Sequence, residues 1–130
     1  MLRRFVSAAA VAAIVVACLA LVVLIVPGPG WSLQEFGLVT ALWCLVPVLW
    51  GFWAMLTPRA WFPERLPLWG AILGLVVGSL ATMVLNLPMR VFGTAWSASF
   101  RAALAAVFVM FYYLLWIGVR AVFHRLTRAA

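Results

Sequence analysis

Residues 70–90 read GAILGLVVGSLATMVLNLPMR, with glycine at 70, 74 and 78, threonine at 82 and asparagine at 86. Each of these lies four residues after the last, and residues four apart stand above one another on a helix. The stretch therefore reads as a helix with one face kept free of bulk and an amide near its end. Glycine weakens a helix, so three in register point to a packing requirement rather than to propensity. Between helices in lipid there is no hydrophobic drive, and small residues at every fourth position gain contact by letting backbones approach closely. Ala9, Ala13 and Ala17 repeat the spacing in the N-terminal apolar stretch, with Ser7 and Ala20 near the same surface. The simplest solution packs the first span on the third through Gly70, Gly74, Gly78, Thr82 and Asn86. A second subunit on the glycine face is the alternative that the sequence leaves open.

Composition sets the solvent around that face. Of the 130 residues, 69% are hydrophobic and 8% charged, and the mean hydropathy is +1.24. A soluble domain of this size leaves a large share of its surface wet, so the expected surroundings are lipid. Crossing the hydrocarbon takes about 20 mainly apolar residues in a helix, and four stretches qualify: 5–26, 32–56, 67–87 and 98–119. Proline and glycine punctuate the junctions PGPG (27–30), TPRAWFPERL (57–66) and PMRVFGTAWS (88–97), where helices are expected to stop. The fold class read from this pattern is an all-α integral membrane protein. It has four transmembrane helices in one compact bundle, and residues 1–130 form a single domain.

Arginine orients it. All nine basic residues are arginine, against the two carboxylates Glu35 and Glu64. Arg3, Arg4, Arg59, Arg65, Arg120, Arg125 and Arg128 fall on the side of the N-terminus, and only Arg90 and Arg101 fall on the other. Short loops rich in arginine stay cytoplasmic, so both termini are expected inside. The arginines sit at the ends of apolar runs with no clustered basic face, which argues against a nucleic-acid partner. Arginine with no lysine suits a GC-rich bacterial genome, and the expected location is the bacterial cytoplasmic (inner) membrane. MLRRFVSAAAVAAIVVAC (1–18) also resembles a lipoprotein signal, but the apolar run continues through LALVVLIV. That length exceeds a signal core, so a retained first span is expected.

Several local signals refine the spans. Ser32 and Glu35 make a capping box, flanked by Trp31 and Phe36 as a hydrophobic staple. Pro67 suits a first helical turn, whereas Pro47 falls inside the second span, where it frees the carbonyl of Trp43 and favours a kink. Tryptophans 31 and 96 mark the outer interface, and 53, 61, 69 and 116 the inner one. A possible duplication, VLIVP…WS (23–32) against VLNLP…WS (84–97), is better explained by the proline and tryptophan common at membrane interfaces.

Chemistry is sparse. Cys18 and Cys44 lie in apolar runs without a CxxC or a Cys/His cluster, so they read as small packing residues, and no metal site is expected. Ion-coupled transport usually places an ionisable group at depth, yet Glu35 and Arg101 each lie within a turn of a helix start. His124, the one histidine, stands among arginines with no acid or nucleophile beside it, and no catalytic constellation is readable. No cofactor is expected, although Trp43, Trp50 and Tyr112 make a candidate pocket for a lipid tail, a quinone or a pigment; core packing is the preferred reading. Arg59, Arg65, Arg120, Arg125 and Arg128 are expected to contact anionic lipid, the last three from a C-terminal segment that continues the fourth helix.

The functional expectation is a small non-catalytic accessory or assembly subunit of a larger membrane complex, bioenergetic complexes being one setting, with membrane lipid and other membrane subunits as its partners. The main alternative is a small transporter or channel acting as a homo-oligomer along the Thr82/Asn86 groove. A lipid- or quinone-handling enzyme stands third.

Overall fold

The computed structural model describes residues 1–25, 33–86, 89 and 96–128, excluding the side chains of 23–25, 33–36 and 38–39. The PGPG junction, Trp31, Ser32 and Arg90, and with them the capping box and its staple, lie outside the described residues. The described chain is helical and contains no strand: α1 is Leu2–Ile25, α2 Leu33–Met55, α3 Leu66–Ser79 and α4 Ala98–Arg128. A short 3-10 turn covers Arg59–Trp61, and a π-helical segment, Leu80–Val84, follows α3 directly. Three stretches are long and apolar enough to cross a membrane: Leu2–Val22, Leu66–Val84 and Ala98–Arg128. The described apolar part of α2, Thr40–Met55, is shorter. Helix α2 runs through Pro47 without interruption, and α4 carries on past residue 119 to Arg128.

The contacts gather into two units. One holds Met1–Thr57 and Ala121–Ala130, the other Pro58–Arg120.

In the first unit α1 pairs with α2, the start of α1 lying beside the end of α2. There the Phe5 and Phe52 rings meet edge to face at 5.6 Å, and the Arg4 guanidinium donates to the carbonyl of Thr57 at 3.4 Å. Thr57 lies just past the end of α2, so the cation sits near the negative end of that helix dipole, a favourable place for positive charge. The buried residues of α1 are Ser7, Ala8 and Ala12, with the Ser7 hydroxyl returned to the carbonyl of Arg4 at 3.0 Å. This stripe is displaced from the one expected: Ala9 and Ala20 are half-buried, while Ala13 and Ala17 are exposed. Cys18 and Cys44 are also exposed rather than packed.

The second unit is built on α3 and α4. The buried positions of α4 are Ala105, Tyr112, Trp116 and Val119, spaced as one helical seam. Those of α3 include Leu66, Gly70, Gly74 and Gly78, and Thr82 follows within the π segment. The four-residue row thus begins one step earlier than expected, at Leu66, with Pro67 buried in the first turn. Ahead of it, residues 58–65 wind through consecutive backbone bonds, among them Trp61 N–H to the Pro58 carbonyl at 3.0 Å and Arg65 N–H to that of Trp61 at 2.8 Å.

Candidate functional site

The glycine row meets α4. A Cβ placed on Gly70 would fall inside the Trp116 side chain, and one on Gly74 would lie 2.7 Å from the Tyr112 Cβ and 2.8 Å from the Phe108 carbonyl oxygen. At Gly78 the neighbours are the Phe108 Cβ at 2.8 Å and the Ala105 carbonyl oxygen at 3.2 Å. As the numbering rises along α3 it falls along α4, so the two helices are antiparallel. The expected pairing of this face with α1 is therefore replaced by pairing with α4. The reason is legible in the partner's residues: three hydrogens in a row make a trough that Trp116, Tyr112 and Phe108 fill, whereas the alanines of α1 have no bulk to put there. The Phe108 and Ala105 backbone carbonyls thus stand where a side chain on Gly74 or Gly78 would have to go.

Thr82 ends the row. It is buried, and its hydroxyl donates to the Gly78 carbonyl at 2.8 Å. That carbonyl is the acceptor a regular helix assigns to the Thr82 N–H, and such back-bonding competes with the ladder and bends helices. The helix widens at this point: Leu85 N–H bonds to the Leu80 carbonyl at 2.8 Å, a five-residue step in place of four. The extra residue breaks the four-residue register, so Asn86 does not continue the row. Asn86 instead stands half-buried beyond the helical turns with φ 46°, a left-handed conformation that asparagine tolerates better than most residues. Its side-chain amide nitrogen lies 3.5 Å from the Met89 sulfur, and its backbone carbonyl accepts from Met89 N–H at 3.1 Å. Nothing in the sequence announced the widening except the threonine four residues after a glycine.

Each remaining candidate sits within its own unit. Trp43 is half-buried and Trp50 buried in the first unit. Tyr112 is buried in the second, beside Gly74 and edge to face with Phe111 at 6.5 Å. His124 is half-buried, its carbonyl accepting from the Thr127 hydroxyl at 2.9 Å. Among the described residues no three His, Cys, Asp or Glu side chains gather as a metal would require.

The arginines expected at anionic lipid are not equivalent. Arg59, Arg65, Arg125 and Arg128 are exposed. Arg120 instead points one nitrogen at Glu64, 3.3 Å from its backbone carbonyl and 3.8 Å from its carboxylate. Sequence spacing alone could not pair residues this far apart.

Compared with protein-family models, with curated proteins and with solved structures, the chain finds no match.

Proposed function

We propose that this chain is a small accessory or assembly subunit of a larger membrane protein complex, non-catalytic and set in the bacterial cytoplasmic membrane. In this reading four helices cross the bilayer as a compact bundle with both termini in the cytoplasm. Three long apolar stretches and the concentration of arginine on one side support the crossing and its direction. Membrane lipid and other membrane subunits are its partners, bioenergetic complexes one setting.

The observation that carries the subunit reading is an apolar face on α2 and the turn after it. Leu42, Leu45, Val48, Leu49, Phe52 and Leu56 are all exposed, with Thr40, Ala41 and Cys44 exposed among them, so α2 presents a broad apolar face. Residues three and four apart share a face on any helix, so the support lies in the breadth of this face. An exposed apolar face of this breadth suits a partner helix.

The test is purification of the full chain from its native membrane in mild detergent. A particle of defined stoichiometry much larger than the 14.3 kDa chain, lost when Leu45→Ala and Leu49→Ala are combined, is expected. A monomer or homodimer in both forms would overturn the subunit reading.

One observation favours the alternative, a homo-oligomeric transporter or channel. The π segment places a buried threonine and a left-handed asparagine at the end of α3, and single π turns are frequent at functional sites. Transport that fails in Thr82→Val and Asn86→Ala, in protein that retains its fold, would support it.

A further inference from the structure

The loop between α2 and α3 carries three charges, Arg59, Glu64 and Arg65, and the structure disposes of one of them. The Glu64 carboxylate faces Arg120 at 3.8 Å, and the same guanidinium nitrogen also bonds the Glu64 carbonyl at 3.3 Å. Among the described residues this is the one ion pair. Arg120 thereby contacts the loop, and Arg59 and Arg65 stand exposed with no carboxylate paired to them among the described residues.

The apolar residues of the loop suit a low-dielectric boundary. The N–H groups of Trp61, Phe62, Arg65 and Leu66 all bond to carbonyls within residues 58–63, so the turn holds much of its own backbone in place while its charged side chains stay outward. Trp61, Phe62 and Pro63 are half-exposed between the two arginines. Trp61 is steadied edge to face against Trp69 at 6.0 Å. Amphipathic aromatics between cations are the composition of segments that lie in the interface and prefer anionic lipid.

We infer that residues 58–65 dock on anionic phosphodiester headgroups, with Arg59 and Arg65 as the headgroup ligands and Arg120 reserved for holding the loop to α4. The inference rests on the reading that the flanking helices cross the membrane. It makes the lipid preference a local property of this loop, distinct from the arginines at the C-terminus.

The experiment uses the full chain in mild detergent with equal amounts of phosphatidylglycerol and phosphatidylcholine of matched chain length, and reads the lipid retained by native mass spectrometry. Each cation near an anionic surface contributes about 1 kcal/mol, or about fivefold in binding. Arg59→Gln combined with Arg65→Gln is therefore expected to lower the preference for phosphatidylglycerol about 30-fold. Arg125→Gln combined with Arg128→Gln removes the same charge elsewhere and is expected to leave most of the preference in place. The single variants, each expected to lose about fivefold, keep the measurement decisive should the loop double variant misfold. An equal loss in both double variants would overturn the inference, because the preference would follow net charge. No preference in the wild-type chain would also overturn it, as it would if this loop docks on an acidic protein. The crossing itself is read separately: release of the wild-type chain from membranes by alkaline carbonate would overturn that reading, whereas retention without headgroup preference overturns the loop alone.

Discussion

Both helix pairs in this chain use glycine to bring an aromatic ring close, and they use it differently. In the α3–α4 pair the atoms crowding Gly74 are the Tyr112 Cβ and the Phe108 carbonyl oxygen, which move only if the helix moves. In the α1–α2 pair the atoms crowding Gly51 are the outer edge of the Phe5 ring, which side-chain rotation can carry aside. The first contact fixes an interaxial distance; the second fills a gap. Glycine in a helix is therefore no measure of its own importance: what matters is whether backbone or the far end of a side chain stands opposite.

Substitutions that add bulk should rank the two pairs. Gly74→Leu forces a branched side chain against the α4 backbone and is expected to separate the pair or abolish native yield, which expression and size-exclusion chromatography would report; native yield and size would remove the close-packing account. Gly74→Ala adds one carbon at the same place, and overpacking of this kind costs about 1–3 kcal/mol, readable as an earlier midpoint when helicity is followed through a titration with denaturing detergent. Thr82→Val removes the hydroxyl from the Gly78 carbonyl and is expected to cost about 1 kcal/mol. If the hydroxyl is what widens the helix, amide exchange at Leu85 should also change. Gly51→Ala needs only a shift of the Phe5 ring and should cost less than Gly74→Ala, because a side chain can give way where backbone cannot; an equal loss would erase the distinction between the pairs. Gly37 has no atom within 4 Å of an added Cβ, so Gly37→Ala is expected to stabilise by about 0.5–1 kcal/mol through helix propensity alone, seen as a later midpoint.

Periodicity and composition made the helices legible, because apolar runs of span length and their breakers are local properties of the chain. The row of small residues at 70, 74 and 78 was equally plain, since one helix defines its own faces. Its partner was not. Choosing between Ala9–Ala17 and Trp116–Phe108 requires knowing that a trough is filled by rings better than by another flat face, and the four-residue spacing of the alanines looked like a match. The register loss at Leu80–Val84 was hidden for a related reason: a hydroxyl competing for a carbonyl four residues back is common in helices and widens few of them. Arg120 and Glu64 meet only because the loop folds back along α4, a relation no spacing encodes.

Helix α4 has 31 residues, and at about 1.5 Å per residue it measures about 46 Å. The hydrocarbon of a bilayer is about 30 Å thick. Hiding the whole rod inside it would take a tilt of about 50°, past the roughly 0–40° found for transmembrane helices. Set in a bilayer, α4 must therefore protrude, and with Arg120, Arg125 and Arg128 gathered in its last nine residues the protruding end is the charged one. With its headgroups such a bilayer is about 40–45 Å thick, so the excess length sets this charged last third of the rod among the headgroups, where arginine meets phosphate, rather than clear of the lipid.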